Sequence, residues 1–165
     1  MHSIRTLSVM GTLSATIVVG CVAVVGFQAA AYAHEQHSAF SAGEPGNPKN
    51  PSRVIKIAMQ EEGKKMMFDR AVITVQRGEQ IRFVLFNEGT ESHEFVLATV
   101  AENQKHATLM KKFPEMEHHD PNAKRVAVFD QGELLWKFTT AGEFEFACLI
   151  PGHYEAGMHG KVIVK

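Results

Sequence analysis

Only two cysteines, Cys21 and Cys148, occur among the 165 residues. Cys21 lies in the apolar N-terminal stretch. Removal of that stretch leaves Cys148 alone and excludes an intramolecular disulfide framework. Charge of one sign is also missing: 17 Lys and Arg face 18 Asp and Glu, a formal net charge of −1. No basic block marks a nucleic-acid partner. No Ser/His/Asp set and no carboxylate pair can be identified from spacing, and no internal repeat is present.

What the chain does have begins with an unusual N-terminus. Arg5 is the only formal positive charge of residues 1–33, and an uncharged run follows from Thr6 through Ala33. Ala31-Tyr32-Ala33 fits the small-x-small cleavage pattern of a signal peptide, so residues 1–33 are expected to be removed, leaving His34 first. Two other fates stay open. Val9 to Phe27 is about long enough to span a bilayer if uncut, and Val18-Val19-Gly20-Cys21 resembles a lipobox that would anchor the chain through Cys21. With cleavage, the protein is expected in the periplasm and off the membrane. A lone thiol in an oxidising compartment is a liability unless a metal occupies it.

Residues 34–52 are expected to form a flexible arm, because Pro45, Pro48 and Pro51 oppose strand pairing and few apolar residues are present. The folded domain is expected over 53–165. Ile55, Ile57 and Met59 alternate toward a core, and further strands are predicted over 71–75, 81–86, 93–98, 125–129, 134–139, 143–148 and 161–165. This density of strands, with glycine-bearing turns, predicts an all-β sandwich or barrel. Residues 101–112 are rich in helix formers, and Phe113-Pro114 ends them. A helix and loop are therefore expected as an insertion near 101–121.

The strongest motif is Cys148-x4-His153-x4-Met158, with Pro151-Gly152 inside it. A Cys and two His with a weak axial Met form the ligand set of a blue-copper site. His93, after the apolar run Ile81 to Phe86 and the turn Asn87-Glu88-Gly89, is the best candidate for the second imidazole. Two other readings stand beside this one: Cys148 as a small buried hydrophobe, and a Cys/His/His zinc site, against which Met158 argues. With this loop, the upstream His and the closing Gly160-Lys161-Val162-Ile163-Val164, the chain resembles the cupredoxins, most closely the periplasmic copper-tolerance members. The resemblance implies a Greek-key β-sandwich and one type 1 copper held by His93, Cys148, His153 and Met158. It also implies single-electron transfer, with a redox partner docking on apolar side chains near His153. An enzyme is not implied: multicopper oxidases need His-x-His pairs, and this chain has none.

Two features depart from that pattern or exceed it. Many relatives carry Asn after the upstream His, where this chain has Glu94, whose carboxylate either contacts the metal or points elsewhere. Met110, Met116, His118 and His119 cluster in the insertion, Met66 and Met67 lie elsewhere, and His34 and His37 sit near the N-terminus. Such soft and imidazole donors suit additional copper. They favour a role in copper handling, with plain copper sequestration as the alternative to electron carriage.

Overall fold

A computed structural model describes residues 40–113 and 120–165. The expected leader over 1–33, together with His34, His37, Met116, His118 and His119, lies outside the described residues. Among the described residues, ten strands and one helix follow in order. They are β1 (Glu44–Pro45), β2 (Arg53–Glu62), β3 (Lys65–Phe68), β4 (Val72–Val75), β5 (Gln80–Asn87), β6 (His93–Ala98), α1 (Val100–Lys112), β7 (Ala123–Val126), β8 (Gln131–Lys137), β9 (Gly142–Ala147) and β10 (His159–Val164).

The strands form two five-stranded sheets, in the orders β1-β8-β5-β2-β3 and β4-β10-β9-β6-β7. The β2–β5 and β10–β4 pairs are parallel and the others antiparallel. Alternation explains why the sheets face each other. Ile55, Ile57 and Met59 of β2, Phe83 and Leu85 of β5, and Leu134 and Trp136 of β8 are buried on one side. Phe95, Phe144, Phe146 and Val162 are buried on the other. The layers meet in an aromatic cluster, where Phe95 stacks on Phe146 at 5.2 Å and lies 5.1 Å from Phe83. Phe68 meets both Phe95 and Phe146 edge-on. Each such ring pair contributes about 0.5–1.5 kcal/mol beyond area burial.

The helix lies where the insertion is expected. Thr99 and Glu102 form a capping box at its start, satisfying backbone N–H groups that the first turn leaves open. It packs against β6 and β9, burying Asn103 and Met110. That contact explains why β6 and the end of β9 are buried on both faces, with Glu145 accepting hydrogen bonds from Asn103 Nδ2 and Tyr154 Oη at 2.9 Å each.

Residues 40–52 correct one expectation, since they are docked. Glu44 and Pro45 pair with Lys137 and Trp136 at the sheet edge, where a proline without its N–H is tolerated. Phe40 meets Trp136 edge-on at 5.3 Å, Ala42 is fully buried, and Gln80 Oε1 accepts the Asn47 N–H. These four anchors outweigh the proline content.

Candidate metal centre

One end of the sandwich gathers the C-terminal ends of β2, β5, β7 and β9. Asn87 closes β5 and shapes the loop that follows. Its Nδ2 donates to the carbonyls of Glu91, Val126 and Ala127, and its Oδ1 accepts the Gly89 N–H at 2.9 Å. This buried amide carries the chain from β5 across to β6, whose first residue is His93. Cys148 follows β9 directly, and its N–H donates to the Met158 carbonyl at 3.0 Å. Met158 N–H returns to the His153 carbonyl at 3.1 Å, and His153 N–H to that of Ile150 at 3.0 Å. Pro151 and Gly152 are the central residues of this last turn. Gly152 has φ +95°, the left-handed value that a type II turn requires at its third position.

These loops bring the expected donors together. Ligand atoms of His93, Cys148 and His153 all lie within 4.8 Å of one another, and all three residues are buried. His93 Nδ1 is 3.1 Å from His153 Nδ1, and Cys148 Sγ is 3.4 Å from the same nitrogen. Nitrogen and sulfur donors bound to one first-row ion at about 2.0–2.3 Å sit roughly 3.1–3.6 Å apart at open angles. The observed spacings fit that. Met158 is fully buried in the same core cluster as Cys148. A thiolate, two imidazoles and a thioether are a soft set that suits copper.

Burial decides the electrostatics. It holds His93 below the ordinary imidazole pKa, with the neighbouring His153 adding to the effect. The ring is therefore neutral near pH 7 and offers a lone pair. Burial pushes the Cys148 thiol up to about 12, against the Glu94 N–H that donates to its sulfur at 3.4 Å. A metal must displace that proton, since the thiolate is the ligand.

Glu94 is resolved by its contacts. It is buried, and its Oε1 accepts the Leu149 N–H at 3.0 Å. Backbone and side chain together tie the His93 strand to the Cys148 loop. Around His153, Leu149 is buried, Ile150, Tyr154 and Ala156 are half-buried and Pro151 is exposed, and Glu91 Oε2 lies 3.3 Å from His153 Nε2. Of the surplus donors, Met110 is a buried residue of α1, and Met66 and Met67 are half-buried on β3.

Sequence reasoning missed Glu61. Its carboxylate accepts the N–H groups of Thr90 and Glu91 at 2.9 Å each and the Thr90 hydroxyl at 2.7 Å, and it lies 3.2 Å from His93 Nε2. The Thr90 hydroxyl is the chief cause of a carboxyl pKa below its usual range. The available signal was an acid at the next inward position after Ile55, Ile57 and Met59.

Residues 55–165 match the model of copper binding proteins of the plastocyanin/azurin family. The chain is 54% identical over 113 residues to the copper-resistant cuproprotein CopI of Rubrivivax gelatinosus, covering 68% of this chain and 67% of that protein. It is 34% identical over 143 residues to the protein of the same name from Pseudomonas aeruginosa, covering 69% and 77%. Among solved structures, auracyanin B superposes with a TM-score of 0.62 at 18% identity, over 75% of this chain and 96% of that one.

Proposed function

Because the chain belongs to the plastocyanin/azurin family of copper-binding proteins, we propose that it is an exported cupredoxin. In this reading it holds one copper through His93, Cys148, His153 and Met158, passes single electrons, and serves copper handling and tolerance. One observation carries the reading: two imidazoles and a lone thiol converge in a buried site at the end of a rigid sandwich. The resemblance to proteins named for copper resistance supports the tolerance role. Copper, when bound, supplies a one-electron couple.

The chain's own residues supply the rest. His93 is fixed by β6, and Cys148 by β9 and the Glu94 N–H. Gly152 and the backbone bonds among Ile150, His153 and Met158 fix the remaining two. Such a frame resists rearrangement between oxidation states. Cys148 is fully buried in the same core cluster as Phe95 and Phe146, which keeps water from the sulfur. His153 is the donor closest to solvent, so a redox partner is placed at its edge, beside Glu91. Catalysis beyond electron transfer is no part of this reading, for want of His-x-His pairs.

The test is to add Cu(II) to the purified protein and record visible absorption, electron paramagnetic resonance and metal stoichiometry. An intense thiolate–copper band, lost on reduction, is expected. A colourless protein that binds zinc equally well overturns the copper function. Deleting the gene is expected to sensitise cells to copper, and unchanged growth in excess copper removes the tolerance role. The sequestration alternative is favoured by the Met and His residues at 116, 118, 119, 34 and 37. It predicts more than one copper per chain.

A further inference from the structure

The ligand set accounts for His93 but not for the carboxylate behind it. In β2 the side chains of Ile55, Ile57 and Met59 face the core, and Glu61 is next in the same row. An acid in that register is costly unless its oxygens are satisfied. Here both are. Oε1 accepts the Thr90 and Glu91 N–H groups, Oε2 accepts the Thr90 hydroxyl, and Oε1 lies 3.2 Å from His93 Nε2. Three of these four contacts hold the loop that delivers His93, and the fourth reaches the ring itself.

Gly89 makes the approach possible. A Cβ there would sit 2.9 Å from Glu61 Cδ and 3.1 Å from His93 Nε2, and closer still to Glu61 Oε1. The carboxylate and the imidazole therefore meet over a residue with no side chain.

The contact has a chemical consequence. A neutral imidazole carries one N–H and one lone pair, and its hydrogen-bond partner decides which nitrogen has which. A carboxylate only accepts, so the proton belongs on Nε2, facing Glu61. The lone pair is then on Nδ1, the nitrogen that faces His153 Nδ1 at 3.1 Å. The other tautomer would set a lone pair against an anion and an N–H into the donor cluster.

We propose that Glu61 is the positioning residue of the metal centre, locking His93 as the Nε2–H tautomer with Nδ1 open to copper and biasing the site toward its oxidised state. The bias follows from charge: a nearby carboxylate makes the imidazole a stronger donor and favours the more positive ion. This rests on the copper reading above.

The test uses two variants. Glu61→Gln keeps an oxygen that can accept from the loop but removes the charge. Glu61→Ala removes both. In the metal-free protein, nitrogen-15 spectra of the ring are expected to show His93 protonated at Nε2, with Glu61→Ala giving a mixture of tautomers. In the copper-loaded protein, Glu61→Gln is expected to keep the thiolate band and raise the reduction potential. Glu61→Ala is expected to weaken Cu(II) binding about 10- to 100-fold. A metal-free parent protonated at Nδ1 overturns the inference, as does a coloured Glu61→Gln protein with an unmoved potential. A parent with no thiolate band overturns the copper function and the inference together.

Discussion

The donors of the site differ in what each can lose. Cys148 is fully buried, and in the proposed copper site its thiolate would be the source of an intense charge-transfer band. Cys148→Ser is therefore expected to abolish that band, whereas Met158→Leu, similar in volume, keeps it and shifts the potential. Visible spectra and voltammetry on the two variants check this, and a coloured Cys148→Ser protein would sink the ligand assignment. The meeting of Cys148 and His153 with His93 in one buried cluster was legible from their spacing on one short loop. His93 was legible from a turn, Asn87-Glu88-Gly89, placed between two apolar runs. Glu61 and the part played by Glu94 were not. Glu61 meets the Thr90 to His93 segment across 29 to 32 residues of chain. Its only local sign, an acid continuing a buried row, reads equally well as a strand end entering solvent. Glu94 likewise sits at the head of a strand buried on both faces, and nothing in the sequence states which backbone N–H it accepts.

At the scale of elements, alternation was the reliable guide, and it failed where packing did not alternate. β3, Lys65-Met66-Met67-Phe68, runs from exposed through half-buried to buried, so it carries no period-2 signature. Its place beside β2 comes from pairing, with Met59 opposite Phe68. β1 was hidden by its proline, which an edge position accepts. The predicted strand 125–129 overran because β7 ends at Val126 and gives way to a turn in which Asp130 N–H donates to the Ala127 carbonyl. In that turn Phe129 has φ +58° and is 75% exposed. A left-handed backbone costs an L-residue about 1–2 kcal/mol. Glycine avoids most of that but loses about 0.5–1 kcal/mol through its freer unfolded chain. Phe129→Gly is thus expected to leave stability unchanged or to raise it by up to about 1 kcal/mol. The denaturant midpoint measures it, and a clear fall would show that the exposed ring makes stabilising contacts.

At the scale of the whole molecule, the metal centre is a clasp between the two layers. β2 belongs to one sheet and β6 to the other, and the Glu61 contacts to Thr90, Glu91 and His93 join them beside the ligands. Stability and metal binding should therefore move together. Copper that binds only the folded state stabilises it by about 2.7 kcal/mol at a hundredfold excess over Kd, and Cys148→Ser should lose most of that gain. Acid should act in the same direction. Burial holds His93 below the ordinary imidazole value, so the unfolded chain takes up that proton first as pH falls below about 6.5. Glu61 is held low chiefly by the Thr90 hydroxyl, and Glu79 by Arg53. What these carboxylates contribute is complete above the ordinary carboxylate range and is lost as pH falls from that range through their lower folded values. The melting temperature of the metal-free protein is expected to decline from pH 7 to pH 4. The gap between copper-loaded and metal-free protein should narrow over the same interval, because protons compete with the metal for the thiolate and the imidazoles. Thermal scans of both forms across this range decide the matter. A melting temperature that stays level into acid would mean that His93 and Glu61 are not coupled to folding through the contacts described.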